Sequence, residues 1–393
     1  LNSATGAKGI SKEDATNGLS RLYHSLRHLG ELAQDTLIAK TKKQTMEWAT
    51  KAYNFKHKLQ KGGDGKLFTS LPEDVYFPVV VQLNTICDRL FLKSEAVRAI
   101  ISEVLSTLQQ VQLKEGSKRL SDFEYCCAAA NDFARMSEHW EDIVQVIFQK
   151  CCPDVDMAKN VHETKRNSLL AKKSVLEGVS SELVHTFSSD AVRAAKSLTV
   201  HIFDPIRTAL EPQLFGTEWE DVWTKNELAR ALTATIEDFL GDVKTFLSEF
   251  LIQKVITSMA AATAVFYIEC LVKKAGAGGN VEVSHFIDNE RALQRISGDM
   301  KVINEYFRGF SRDMPVLARK IEDRLQPLSQ VHEFMTIAAG LSTTQAPGSI
   351  LALYKRIRNV EATEWFARDL WCLVNPKEEE TLMSIIEAIE PRM

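Results

Sequence analysis

Seven cysteines and nine histidines give this 393-residue chain its most reactive side chains, since thiolates and imidazoles bind metals and act as nucleophiles or bases. Cys126, Cys127, His139, Cys151 and Cys152 form their one concentration. Their spacing fits no zinc finger or ribbon, and neither a CxxC nor an HExxH pair occurs in the sequence. Neighbouring cysteines on a helix point about 100° apart and do not readily bridge each other. With Cys87, Cys270 and Cys372 the total is odd, so the expectation is reduced, mostly buried thiols in a cytosolic protein. Asp238 and Asp242 stand one helical turn apart, a separation at which two carboxylates could share a metal or a proton. No histidine or second acidic motif accompanies them. The reading is therefore structural: Phe239 and Val243 form a packing stripe, while the carboxylates hydrogen-bond a neighbouring helix, lysine or arginine. A phosphate-binding loop needs a lysine and a hydroxyl residue after its glycines, but KGGDGK at residues 61–66 runs on into Leu67 and reads as a flexible turn. Gly276, Gly278 and Gly279 follow a helical pattern and not a strand, so they read as a helix terminus in a loop. No serine sits on a GxSxG elbow. No catalytic residue, cofactor or metal is assigned.

Charge is the more informative signal. The net charge is −4, from 48 basic and 52 acidic residues, which gives no global reason for nucleic-acid binding. Between Lys40 and Lys66, however, eight lysines face only Glu47 and Asp64, a local charge of +6. Lys40, Lys42, Lys43, Lys51, Lys56 and Lys58 are the candidate contact for acidic lipid or an acidic partner, since a surface lysine near an anionic leaflet contributes about 1 kcal/mol. The interleaved Trp48, Tyr53 and Phe55 are expected to pack inward rather than stack on bases. From Glu361 to the end, eight carboxylates oppose Arg368, Lys377 and Arg392, a local charge of −5. Such polarity along the chain suits a scaffold with contacts distributed along its length.

These residues must be positioned by helices, because almost every stretch has helical periodicity. Leu19, Leu22, Tyr23, Leu26, Leu29, Ala33 and Leu37 fall on one face of a helix predicted from about Ser11 to Gln60. Capping-box spacing recurs at Ser11 with Asp14, Ser70 with Glu73, Ser121 with Glu124 and Thr217 with Glu220. The segment from Asp154 to Leu210 reads as one bent helix or two. VITSMAAATAVFYIECLV, between Lys254 and Lys273, is near the lower length limit for a membrane span, but it contains Glu269 and is expected to be a buried bundle helix. Long helices with short connections predict an all-α protein, an elongated rod of consecutive antiparallel helical bundles. The expected divisions are a long helix and flexible turn in 1–70, a first bundle in 71–212 and a second in 213–393. Residues 1–10 show no secretory signal, and a start at Leu1 rather than Met suggests a piece of something longer.

Several segments, in order, resemble the C-terminal half of the Sec-six subunit family of the exocyst, also called exocyst complex component three. They are CCAAANDFARM with Asn131, Asp132 and Arg135; FDPIRTALEPQLFGTEW ending at Trp219; and TATIEDFLGD with Glu237, Asp238, Phe239 and Asp242. Tyr267, and Asp299 with Tyr306 and Phe307, resemble the helices that follow, so the likeness spans about Val79 to Gly340. By their physical character these motif residues read as structural, with Trp219 and Trp223 stapling a helix start to the bundle. The resemblance implies a tethering-complex fold and a non-catalytic scaffold of the exocyst, holding secretory vesicles at the plasma membrane before SNARE-mediated fusion. Implied partners are other exocyst subunits and SNARE proteins or their regulators, with no nucleic acid and no cofactor. Implied location is cytoplasmic, peripheral at the plasma membrane or secretory vesicles. The alternative is an acidic-lipid (phosphoinositide) binding helical module related to the tumour-necrosis-factor-induced proteins. Where some family members carry several basic residues after the third motif, this chain has only Lys254 before Lys273, so a lipid site is not carried over to that helix.

Overall fold

The all-helical expectation holds. The computed structural model describes residues 12–88, 94–120, 122–151, 163–222, 225–277, 285–340, 370 and 373–374. Helix α1 covers Lys12–Asn54, α2 Leu71–Asp88, α3 Ser94–Glu115, α4 Phe123–Cys151 and α5 Glu163–Leu210. After the short α6 (Thr217–Asp221) come α7 (Glu227–Phe246), α8 (Glu249–Val272), α9 (Asn289–Asp313) and α10 (Ala318–Gly340). The 154–210 stretch thus resolves into one helix over its described part, carrying Pro205 inside.

The KGGDGK turn is ordered. It closes a two-residue hairpin in which Gln60 lies opposite Phe68 and Lys61 opposite Leu67. Gly62 N–H donates to the Lys66 carbonyl at 2.8 Å, and the Lys66 N–H reaches Asp64 Oδ1 at 3.1 Å. Gly65 sits at φ +86°, where a Cβ would be strained, which is why the turn needs glycine there. The expectation of a flexible turn overlooked this chemistry: an Asp-Gly pair between residues that can pair as strands is a hairpin signal.

Capping also differs from the simple hydroxyl–carboxylate reading. At the start of α2 the cap is Thr69, whose Oγ1 accepts from Leu71 N–H at 3.1 Å, while the Ser70 hydroxyl turns to Asp74 (2.9 Å) and His57 (2.8 Å). Asp122 caps α4 by accepting the Tyr125 N–H at 3.0 Å. Gly216 precedes α6 with no side-chain cap, and Glu220 is instead buried against Lys274 at 2.8 Å. Ser11 and Ser121 lie outside the described residues.

Two compact units are present. The first comprises Leu1–Lys58, Thr69–Arg119 and Asp132–Ala191, the second Leu59–Phe68, Leu120–Asn131 and Val192–Met393. In the first, the C-terminal half of α1 packs along α3 and α2, with Thr45, Ala49 and Tyr53 buried on its inner face. The Tyr53 hydroxyl donates to Gln112 Oε1, and Gln112 Nε2 donates to Asp190 Oδ2 at 2.5 Å. Trp140, Phe133 and Phe187 are fully buried. The apolar face of the N-terminal half of α1 is exposed, with Leu19 at 67% and Leu26 at 59%. Of the three aromatics expected to pack inward, only Tyr53 does; Trp48 is exposed and Phe55 is 66% exposed.

In the second unit α8 is the innermost helix, packed by α7 and α10. Leu251, Val255, Ile256, Met259, Phe266, Ile268 and Leu271 are buried around much of its circumference, which explains a sequence apolar on all sides. By length and composition it could cross a membrane; here the window is mostly enclosed by protein. Glu269 is ion-paired to Arg207 of α5 at 2.6 Å, satisfying the one carboxylate of that apolar run. A ring cluster closes one part of this core: Phe215 meets Trp219 and Tyr267 edge-on at 4.8 and 5.1 Å.

Candidate functional site

The lysine set divides by environment. Lys40, Lys43 and Lys51 are exposed on α1, and Lys56 and Lys58 are exposed in the segment that follows it. Lys42 is half-buried and held by Glu103 at 2.7 Å, while Lys43 approaches Glu47 at 3.9 Å. Lys40, Lys51, Lys56 and Lys58 have no ion pair among the described residues. Trp48 and Lys51 line a shallow groove with Pro78, Val81 and Gln82. The two lysines of the hairpin are engaged elsewhere: Lys66 Nζ donates to the Lys244 carbonyl at 2.9 Å, and Lys61 lies over the Phe246 ring at 5.7 Å.

The motif on α4 supplies three different ties. Asn131 Nδ2 donates to the carbonyls of Leu67 (2.8 Å) and Phe246 (2.7 Å), and its Oδ1 accepts from Ser248 N–H at 3.1 Å. One amide thereby satisfies the hairpin, the last turn of α7 and the entry to α8, using both its donor and acceptor capacity. Asp132, wholly buried, accepts from Thr69 N–H at 3.0 Å and from Thr69 Oγ1 at 2.5 Å, fixing the residue that caps α2. Arg135 reaches Glu73 at 2.6 Å near the surface.

On α7 the expected pattern is only partly realised. Phe239 is half-buried against Phe123 at 6.0 Å between ring centroids, and Val243 is buried. Asp238 and Asp242 are exposed and have neither hydrogen bond nor ion pair among the described residues, contrary to the expectation that they tie a neighbouring helix. Helical geometry points them about 100° per residue away from the buried stripe. Glu237 makes the tie instead, accepting from the Tyr306 hydroxyl at 2.8 Å, with Lys244 at 3.4 Å. Burial first, and then that carboxylate, push the Tyr306 phenol up.

Trp219 leads to an enclosed polar cluster. Asp299, at 0% exposure, accepts from the Trp219 indole (3.2 Å), the Tyr267 hydroxyl (2.9 Å) and Asn226 Nδ2 (2.9 Å). Burial raises the Asp299 carboxyl above its ordinary value, and these donors with the Arg295 guanidinium oppose that rise. Asn226 adopts the left-handed region at φ 56°, which asparagine tolerates better than most residues. Its amide lies against Gly298, where a Cβ would come within 2.6 Å of Asn226 Nδ2. Asn226, Gly298 and Arg295 went unnoticed in the sequence; an asparagine just before the helix-starting Glu227 is the signal that could have found the first. Trp223 lies outside the described residues.

The thiols of Cys126, Cys127 and Cys270 are buried, and burial pushes that of Cys270 up to about 12, so they stay protonated at neutral pH. The remaining cysteine side chains, with the acidic C-terminal stretch apart from Leu370, Leu373 and Val374, lie outside the described set. Every motif residue with a described partner joins one helix, turn or hairpin to another, so the site is a system of helix ties.

Comparison with known proteins speaks to the fold and the family. The chain superposes on the crystal structure of the C-terminal domain of the exocyst subunit Sec6p with a TM-score of 0.59 and 14% identity, covering 99% of this chain and 93% of that one. At that identity the match speaks for the fold. The family model of exocyst complex component Sec6 matches residues 40–342, a span that holds the lysine set, the Asn131 and Asp132 ties and the Asp299 cluster. With most of its length matched, the chain belongs to the exocyst complex component Sec6 family.

Proposed function

We propose that this chain is a non-catalytic scaffold of the exocyst, which holds secretory vesicles at the plasma membrane before SNARE-mediated fusion. The observation that carries the proposal is the family match over residues 40–342. Ties such as Asn131 and Asp299 support it, because they spend buried polar groups on fixing helices to one another. Its partners are other exocyst subunits and SNARE proteins or their regulators, and it works in the cytoplasm, peripheral to the plasma membrane or vesicles. Depleting the protein from cells should leave secretory vesicles accumulated near the plasma membrane, with rescue by the intact gene; unchanged secretion and vesicle number would count against a tethering role.

The lysine set extends this reading. Lys40, Lys43, Lys51, Lys56 and Lys58 form a peripheral contact with an acidic surface, supported by their exposure on and just after α1. Flotation with acidic vesicles should fall when Lys43, Lys56 and Lys58 are changed to Glu, and an unchanged bound fraction removes the role.

A further inference from the structure

The second unit contains a cationic cleft that no motif pointed to. Three helical registers build it. On α5, Lys196 and Thr199 are three residues apart; on α8, Lys254 and Ser258 are four apart; on α10, Lys320 and Arg324 are four apart. Each pair therefore lies on one face of its helix, and the three faces converge on a space of about 470 Å³. That lies within the roughly 300–1,000 Å³ of small-molecule sites.

Its electrostatics are one-sided. Among the described residues four cations line the cleft and no carboxylate does. None of the four has an ion pair among the described residues, whereas lysines elsewhere in this unit, such as Lys273 and Lys274, are matched by Glu211 and Glu220. Lys254 is steadied by the Phe250 ring at 5.1 Å. The wall also holds an unused polar atom: Thr199 Oγ1 is buried with no hydrogen-bond partner among the described residues. A buried hydroxyl left unmatched is costly, and so is the mutual repulsion of unpaired cations across a concave surface.

One class of ligand relieves both. Phosphate oxygens accept from ammonium, guanidinium and hydroxyl donors together, and an anion bearing several phosphates on a compact ring supplies enough charge for four cations. A single phosphate has too little charge and bulk. We propose that this cleft binds a multiply phosphorylated small anion of inositol-polyphosphate type, either free or as a lipid headgroup. The cleft shares no residue with the lysine set of residues 40–58 and does not depend on the scaffold reading.

The test uses the whole chain, with inositol hexakisphosphate, inorganic phosphate, and phosphatidylcholine vesicles with and without phosphatidylinositol bisphosphate as probes. Calorimetry should show saturable hexakisphosphate binding that weakens with salt and is far tighter than that of inorganic phosphate. The combined Lys196→Gln, Lys320→Gln and Arg324→Gln variant should bind about tenfold or more weakly, while Lys114→Gln with Lys301→Gln, exposed lysines that do not line the cleft, should not change it. All three altered residues are exposed, and a folded circular dichroism spectrum checks the variant; the single Lys320→Gln change gives the same test with a smaller loss. Vesicle recruitment that hexakisphosphate competes away assigns a lipid headgroup, and hexakisphosphate binding without recruitment assigns a free anion. Absence of saturable binding, affinity equal to that of inorganic phosphate, or affinity unchanged in the cleft variants would overturn the proposal.

Discussion

Asp299 shows how one residue can hold several elements, because its two oxygens collect an indole, a phenol and an amide from three separate segments. Burial raises its folded-state value, while an unfolded aspartate titrates at about 3.9. A carboxyl raised in this way favours the fold below the unfolded value, and the contribution is lost as pH rises through the folded one. Urea titrations across the acid range should therefore show the wild type losing stability relative to Asp299→Asn as pH is raised. Parallel curves would contradict this assignment. Gly298 gives a sharper test, since an added methyl group meets an Asn226 amide already fixed by bonds to the Arg295 carbonyl (3.2 Å) and Asp299. Gly298→Ala should cost about 1–3 kcal/mol in equilibrium unfolding, the usual scale of overpacking. At this scale the sequence was partly legible. Trp219, Tyr267 and Asp299 stood out by resemblance, but their convergence did not, because contacts 32 and 80 residues apart leave no periodic trace.

Between residues and the whole chain, the elements explain why α8 drew a membrane comparison and α1 did not. A helix surrounded by other helices needs apolar residues on every side, so its composition approaches that of a membrane span. Ile256→Ala should cost about 2–5 kcal/mol, as for other fully buried aliphatic truncations, whereas Val265→Ala on the exposed side should stay within about 0.5 kcal/mol. Equal losses at both would mean that α8 is not enclosed as described. The start of α2 makes a second test. Asp132→Ala strands both Thr69 donors in a buried place and should lower stability by about 1–3 kcal/mol, read from the urea midpoint. Helices were legible because the 3.6-residue period repeats over many turns. Capping was not, because Thr69, Ser70 and Asp74 compete for the same few amides and hydroxyls, and a distant Asp132 decides the outcome.

For the molecule as a whole, a net charge of −4 hides a basic stretch in residues 40–66, and the structure separates the exposed lysines of that stretch from those held by Glu103, Lys244 and Phe246. Family membership was legible because motif residues such as Asn131 hold several elements at once, which leaves an ordered signature even in a chain of degenerate helical patterns. The cleft bounded by α5, α8 and α10 left none, since its four cations are scattered between positions 196 and 324. The central claim is that the chain works as an exocyst subunit. Its most direct test is size-exclusion chromatography of the purified, folded chain mixed with purified exocyst subunits: the account predicts a stoichiometric co-eluting complex with at least one of them, and separate elution from all of them would contradict it.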